Sequence, residues 1–547
     1  MSSLDPLHRL PCGIIGLPIK GGDDVTSTRA SENIEQLIHY AVAHELMGHE
    51  DIIPTRNALM DVMGVPSTTE SLPARAYRLR PIEEILQDLI TEAVNAGLIQ
   101  DTSASRDLFD TKIMGLLLPR ASEVCRHFSS LQTHESIEKA TEWFYRFCQS
   151  SNYIRMDRIR KNHHWIAPSL YGNIEITINL SKPEKDPRDI AAQKKLPQVD
   201  YPRCLLCIEN EGYPGRIDHP ARQNLRLIPL ELDGERWYFQ YSPYVYYNEH
   251  CIVIDRDHQP MEISEQTFVR FLDFLDQFPH YFIGSNADLP IVGGSILSHE
   301  HFQGGRHSFP MEKAANRLQL IHPAFPSIQA TTLHWPLSTL RIRSTQRQEI
   351  VRICAHVLHL WRSYSDPETQ ILDHTDHHGE RIFHNTITPI ARCPNRGIYE
   401  VDLVLRNNRT SDEHLLGIFH PHSPRHHIKK ENIGLIEVLG LAILPGRLDQ
   451  ELKQISSLLC GDVEDRERIQ KDFPVQMEVH GEWIERLKKE HPHVLTPSDA
   501  ERVIQTSVAE IFIEVLKDCG VFKENDQGSE GWNRFLADLG FCVISDP

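Results

Sequence analysis

The segment Gly293-Gly-Ser-Ile-Leu-Ser-His-Glu-His-Phe-Gln-Gly-Gly305 concentrates groups able to do chemistry. In an extended strand alternate side chains share a face, so His299, His301 and Gln303 point one way while Glu300 and Phe302 point the other. An imidazole with a reference pKa of about 6.5 is largely unprotonated at neutral pH, and is a good nucleophile toward phosphorus once its other nitrogen is held. An amide two residues on, on the same face, can donate to a phosphoryl oxygen as charge builds there. Glycine pairs on both sides remove Cβ atoms where a phosphate or a neighbouring backbone must come close. A polar strand facing water is the plain alternative for a lone H-x-H. The added Gln303 and the flanking glycines favour a phosphoryl or nucleotidyl transfer site.

Cys204-Leu-Leu-Cys207 supplies two thiolates at a spacing suited to tetrahedral zinc. No second C-x-x-C follows, so further ligands must come from elsewhere, histidines first; a redox pair or two unrelated buried thiols are the alternatives. His258 ends the run Val253-Ile-Asp-Arg-Asp-His258 and, taken alone, reads as a turn histidine. Histidine is abundant, with 31 residues and clusters at His374/His377/His378 and His420/His422/His426/His427, where a solvated surface explains as much as a site does. The second half has its own H-x-H in Ile418-Phe-His-Pro-His422, preceded by Phe383-His-Asn-Thr-Ile-Thr388 and Arg392. His420 and His422 could bind a second metal or position a sugar phosphate, or be structural. Arg392, Arg406, Lys429 and Lys430 could hold a dianion, although each is more often a solvated charge.

A chain of 547 residues is long enough for several packed units. With 76 acidic and 57 basic residues the net charge is −19, which repels polyphosphate backbones, so no nucleic acid partner is expected. No run reaches the roughly 18 apolar residues of a membrane span. The nearest, Ile433 to Leu444, is broken by Glu437, and Pro11, Gly13 and Pro18 interrupt the N-terminal apolar stretches, so neither a membrane segment nor a secretory signal is read. Eleven scattered cysteines suit a reducing compartment, and a cytoplasmic location is expected. Asn179-Leu-Ser and Asn408-Arg-Thr are then chance matches to the glycosylation acceptor.

Residues 1–28 carry no sustained periodicity and read as a loosely ordered extension. From Ser31, a candidate N-cap, Ile34, Leu37, Ile38 and Ala41 recur at helical spacing, as do Ile82, Ile85, Leu86 and Leu89 behind Pro81. Helical patterning resumes over 113–147, so 29–165 reads as a helical domain. Asn173 to Leu180 alternates polar and β-branched residues. Further strand-like segments run from Trp237 to Tyr241, His250 to Ile254, Gly294 to Phe302 and Tyr399 to Leu405. Ser264 can cap a helix whose inner face is Phe268, Phe271, Leu272, Leu275 and Phe278, which makes a strand–helix–strand unit. Beyond Asn432 the pattern is helical again, clearest over 499–517 and 531–539. The fold class is α+β.

A C-x-x-C, then a strand ending in Asp-His before a helix, then Asn286 and Gly-Gly-Ser295 before H-x-H-x-Q resembles the galactose-1-phosphate uridylyltransferases, whose core belongs to the histidine-triad superfamily. Longer stretches around YPRCLLCIENEGYPGRIDHPARQNLRLIPLEL and HHIKKENIGLIEVLGLAILPGRL resemble the class II branch of that family. The resemblance implies a duplicated histidine-triad-like core of antiparallel sheet with helices, its halves over 166–310 and 311–445, followed by a helical region over 446–547. It implies a nucleotidyltransferase acting on UDP-glucose, UDP-galactose and hexose 1-phosphates, with His301 as nucleophile and Gln303 as the phosphate-binding amide. Asn286, Ser295, Arg392, His420 and His422 become candidate substrate contacts. Cys204, Cys207, His258 and His299 become ligands of a structural zinc. Class I relatives are dimers, so a homodimer is a further expectation. Glu300 departs from the family in standing where class I has proline. A histidine-triad hydrolase or phosphorylase, or a non-catalytic zinc and nucleotide-binding module, are the rival readings.

Overall fold

The computed structural model describes residues 24–66, 79–181, 199–294, 296–377, 379–461, 468 and 474–544. The chain divides into two compact units after Asp101. In the first, the helices Asp24–Ala43, Ile52–Met63 and Ile82–Asn95 bury Ile34, Leu37, Ile38, Ala41, Ile85, Leu86 and Leu89, the apolar positions of the sequence pattern. The first helix begins at Asp24, so Ser31 lies inside it and does not cap it. Of the supposed extension over 1–28, residues 1–23 lie outside the described residues.

The second unit opens with the helices Ser103–Gly115, Ala121–His134 and Ile137–Ser150. They belong with the sheet that follows, so the unit boundary falls after residue 101 and not after 165. The reason is visible in the packing: Tyr241 Oη donates to the Thr141 carbonyl at 2.9 Å, and the Phe144 ring lies 5.5 Å from that of Tyr241. A hairpin of β1 (His163–Ser169) and β2 (Gly172–Asn179) comes next.

The core is one antiparallel sheet built by the same strand pattern twice. First come β3 (Ile228–Leu232), β4 (Glu235–Tyr241), β5 (Cys251–Asp255), the helix Glu265–Gln277, β6 (Phe282–Gly284) and β7 (His301–Gly305). Then come β8 (Asn316–Ile321), β9 (Gln329–Leu333), β10 (Thr339–Ser344) and the helix Arg347–Arg362. A small hairpin of β11 (His374–His377) and β12 (Glu380–Phe383) precedes β13 (Asn385–Asn395) and β14 (Ile398–Asn407). In each half the last strand inserts between the third and fourth, β7 between β5 and β6, and β14 between β10 and β13. The β6–β13 pairing joins the halves into one sheet, and β16 (Cys542–Val543), from the end of the chain, adds to the β8 edge.

Period-two alternation explains the two faces. Val401, Leu403 and Leu405 of β14 are buried with Ile283, Ala391 and Phe302 and share one face. Against that face pack Phe268, Phe271, Leu272 and Leu275 of the helix Glu265–Gln277, which Ser264 opens by donating its N–H to Thr267 Oγ1 at 3.0 Å. The opposite face carries His301, Gln303, Arg392, Glu400, Asp402 and Arg406.

The stretch after Asn432 is not purely helical. Its apolar run becomes β15 (Leu441–Pro445), parallel to β2, ahead of the helices Leu448–Cys460, Pro474–Glu490, Pro497–Cys519 and Asp526–Asp538. No helix among the described residues is long and apolar enough to cross a membrane.

Candidate active site and metal centre

Strand β7 begins at His301, seven residues later than the pattern suggests, because the chain before it turns to serve the loop after β5. Glu300 N–H donates to the Gln259 carbonyl at 2.7 Å, and Asp255 N–H donates to the Glu300 carbonyl at 3.1 Å. His301 and Gln303 therefore share the polar sheet face, opposite Ile254 and Ile252 of β5, while His299 lies outside the strand.

The tautomer of His301 follows from its partner. Nδ1 lies 2.8 Å from the carbonyl oxygen of His299, which can only accept, so Nδ1 carries the proton and Nε2 keeps its lone pair. The ring is 7 % exposed, and burial pushes its pKa down to about 4, the bond to the His299 carbonyl acting the other way. It is a neutral, oriented base at physiological pH. Gln303 Oε1 lies 3.2 Å from Nε2 of the buried His250, a residue that the sequence pattern did not single out. The only available signal was strand parity: His250 stands two residues before Ile252, the register partner of Gln303.

Asn286 follows β6 and is 6 % exposed; its Oδ1 accepts from the Leu435 N–H at 2.8 Å. The glycines around His301 serve close approach within the protein. A Cβ on Gly294 would stand 2.5 Å from Asn286 Nδ2, and one on Gly293 would stand 2.3 Å from the Ala287 carbonyl. On β7, a Cβ at Gly304 would meet the Phe282 carbonyl at 2.6 Å. The loop between β6 and β7 is tied to the second half, where Thr386 Oγ1 donates to Asp288, Asn408 Nδ2 donates to the Pro290 carbonyl at 3.2 Å, and Asn432 Nδ2 donates to the Gly293 carbonyl at 2.5 Å. Ser295 lies outside the described residues.

Cys204, Cys207, His258 and His299 converge, with one ligand atom from each lying within 4.8 Å of the others, and they are the only such group of metal-ligating side chains among the described residues. The sulfurs are 3.5 Å apart, Cys204 Sγ is 3.3 Å from His299 Nδ1, and Cys207 Sγ is 3.1 Å from His258 Nδ1. These spacings suit four ligands around one tetrahedral ion with bonds of about 2.0–2.3 Å. His299 Nε2 donates to the Asp255 carbonyl at 2.9 Å, which leaves Nδ1 unprotonated and aimed at the sulfurs. Burial opposes ionisation of Cys204, but the His299 ring holds it below the usual thiol range; burial first, and then the adjacent sulfur, push Cys207 up to about 12. A bound divalent cation would make both thiolates. Glu300, between the two histidines, turns to the other side and pairs with Arg270 Nη1 at 3.1 Å.

Several expected substrate contacts are engaged elsewhere. Arg392 is 6 % exposed and sits in a buried charge network. Its Nε donates to Glu400 Oε1 at 2.6 Å and its Nη2 to Asp402, which Arg341 Nε also grips at 2.6 Å. It balances internal carboxylates and is not available to a sugar phosphate. Arg406 is 1 % exposed and donates to Thr388 Oγ1 at 3.3 Å and the Ile433 carbonyl at 3.4 Å, while Lys429 pairs with Glu437 at 2.9 Å. The H-x-H at 420/422 is not the second half's counterpart of the strand that carries His301. That counterpart is β14, and His420 and His422 lie in the loops beyond it. His420 Nδ1 donates to the Pro421 carbonyl at 3.1 Å and His422 Nε2 to the Ile418 carbonyl at 3.0 Å, so they share no metal group among the described residues.

Fold and site together are those of a nucleotidyltransferase. The N-terminal domain of galactose-1-phosphate uridyl transferase matches residues 69–260 as a sequence family, and the C-terminal domain matches residues 274–472. The chain belongs to the galactose-1-phosphate uridyl transferase family. It is 51 % identical over 526 residues to the galactose-1-phosphate uridylyltransferase of Caldanaerobacter subterraneus subsp. tengcongensis, covering 95 % of this chain and 100 % of that one. The enzymes of the same name from Halalkalibacterium halodurans and Bacillus subtilis are 48 % and 45 % identical, covering 92 % and 93 % of this chain and 98 % of each relative. Among solved structures, yeast Ap4A phosphorylase Apa2 aligns with a TM-score of 0.30 at 10 % identity, over 57 % of this chain and 85 % of its own. The fold assignment rests on the strand order and not on that alignment.

Proposed function

We propose that this chain is a UDP-glucose–hexose-1-phosphate uridylyltransferase working by double displacement, with His301 as nucleophile. The carrying observation is the His301 ring itself, on the polar sheet face, whose Nδ1–H is fixed on the His299 carbonyl so that Nε2 keeps its lone pair. Nε2 attacks the α-phosphorus of UDP-glucose; an N–P bond forms, the P–O bond to glucose 1-phosphate breaks, and that product leaves with the electron pair. A phosphate oxygen of galactose 1-phosphate then attacks the same phosphorus, breaks the N–P bond and departs as UDP-galactose. The Gln303 amide, on the same strand face, donates to a non-bridging oxygen as charge builds, and the Nδ2 donors of Asn286 serve the phosphates from the loop after β6. In both steps the leaving group is displaced from one phosphorus held in one place, so one site serves both hexose phosphates in turn.

The metal that Cys204, Cys207, His258 and His299 would hold is zinc, by its preference for two sulfur and two nitrogen donors. Four protein ligands leave no open position, so zinc would supply structure, fixing the residue two before the nucleophile, whose carbonyl orients the His301 ring.

Incubation with UDP-glucose labelled in the uracil ring tests the reading. Acid-labile label on His301 is expected, chased off by either hexose 1-phosphate, and His301→Asn should abolish both label and exchange. Label lost to water at the same rate with and without galactose 1-phosphate would make the protein a hydrolase; no label on any histidine would overturn the covalent route.

A further inference from the structure

We propose that His250 aims Gln303: its Nε2–H holds the Gln303 carbonyl oxygen and thereby turns the amide NH2 outward to the transferred phosphoryl group. The proposal deepens the uridylyl-transfer reading and rests on it.

Two amide orientations are possible in principle, because the oxygen and nitrogen of Gln303 can exchange places and the imidazole can carry its proton on either nitrogen. The surroundings select one. His250 is 2 % exposed, and Nδ1 is buried without a hydrogen-bond partner among the described residues. A proton on Nδ1 would be an orphaned buried N–H, whereas an unprotonated Nδ1 leaves only an unused lone pair, the less costly of the two. The proton therefore sits on Nε2, 3.2 Å from Gln303. Nε2 is then a donor, so the Gln303 oxygen must face it and the NH2 must face away. The opposite arrangement would present amide oxygen lone pairs to anionic phosphoryl oxygens.

The ring has no freedom to abandon this role. It lies 4.4 Å from the Tyr247 ring and 5.6 Å from that of Tyr246. Its backbone is tied on both sides, by His250 N–H to the Tyr247 carbonyl at 3.2 Å and Ser242 N–H to the His250 carbonyl at 2.7 Å. Burial also pushes its pKa down to about 3, the bond to Gln303 acting the other way, so the ring is a neutral donor. Such a group positions an amide without adding a charge of its own, and His250 is a positioning residue that acts through Gln303.

The experiment is a double-mutant cycle on the full-length enzyme. His250→Phe keeps an aromatic ring in the stack and removes the donor. It should lower kcat for uridylyl transfer about tenfold, the kinetic weight of one oriented hydrogen bond, and leave KM for UDP-glucose nearly unchanged. In a Gln303→Ala background the same change should cost less than about twofold, because its target is gone. His250→Gln, which returns an N–H near Nε2, should recover activity to within about threefold of wild type. Equal losses in the two backgrounds, or an unaffected His250→Phe, would overturn the proposal. If His250→Phe fails to accumulate, His250→Gln and His250→Met make the same comparison, being alike in length and unlike in donor, and a kcat ratio near one overturns it. Failure of wild type to label at His301 would count against uridylyl transfer itself, and absence of coupling in an enzyme that does label would count only against His250.

Discussion

Asn286 Oδ1 accepts the backbone N–H of Leu435 at 2.8 Å, joining the loop after β6 to a segment 149 positions further along the chain. One end of a single amide thus fastens the second half's continuation to the site, while the other end, Nδ2, lies in the space that glycine at 294 leaves open. The two ends can be separated by substitution.

Asn286→Asp keeps the acceptor for Leu435 but exchanges the donors, proposed above to serve the phosphates, for negative charge. A fall in kcat/KM of about a hundredfold is expected with a near-normal melting temperature, since one phosphoryl donor is lost and repulsion added. Asn286→Ala should lose activity and also about 1 kcal/mol of stability, the worth of the missing bond to Leu435. Steady-state kinetics and urea melts read both quantities. If the two variants melt alike, the bond to Leu435 contributes nothing.

Metal content gives an independent check on the C-x-x-C cluster. Purified enzyme should carry one zinc per chain, and Cys204→Ser should carry none. Stability should drop by at least ~2.7 kcal/mol wherever the metal would have been at a hundred times its dissociation constant. Chelation of wild type should reproduce that loss, with activity declining as the strand holding His301 loosens. A fully active, fully stable protein without stoichiometric metal would remove the cluster from the metal reading.

Local spacing announced the chemistry better than the boundaries. His301 and Gln303 stand two residues apart on one strand, so their common face was legible, whereas the meeting of Cys204 and Cys207 with His258 and His299, 51 to 95 residues away, came only with the family resemblance. The strand containing the nucleophile was drawn too long because alternation cannot show that Glu300 N–H is taken by Gln259. Arg392 and Arg406 looked like anion ligands because sequence gives charge but not its partner, and the partners, Asp402 and Ile433, are fixed only by sheet register and tertiary packing. The histidines at 420 and 422 imitate the H-x-H of that segment, yet the duplicated strand is β14, which presents Glu400, Asp402 and Arg406 on the sheet face where β7 presents His301 and Gln303. The glycines were correctly read as close-approach positions, but what approaches is Asn286 and the adjoining backbone.

The carboxylate of Asp402 binds both Arg341 and Arg392 in the interior. Asp402→Ala would leave two buried guanidiniums to share the single carboxylate of Glu400 and should cost about 3–5 kcal/mol. The pH dependence has a definite sign. Burial opposes ionisation, but Arg392 and Arg341 outweigh it and hold the Asp402 carboxyl below its ordinary range. A depressed folded value means that this contribution is complete above the unfolded pKa of about 3.9 and is lost as pH falls below it. Asp402→Ala should therefore melt at a temperature that depends less on pH than wild type does in that acid window, as followed by circular dichroism.

His250 carries the opposite kind of signature. Its folded pKa is pushed down to about 3 by burial, whereas an unfolded histidine titrates near 6.5, so the native state excludes a proton that the unfolded state takes up. The associated stability is complete above that unfolded value. It drains at about 1.4 kcal/mol per pH unit as the solution is acidified toward the folded one. His250→Phe has no such group, so its stability relative to wild type should improve steadily between pH 6 and 4.5 by roughly that slope. Urea titrations of both proteins across the window measure it. Parallel curves would mean that the ring is protonated in the folded enzyme, and a cation beside Gln303 would then have to replace the neutral donor that sets the amide.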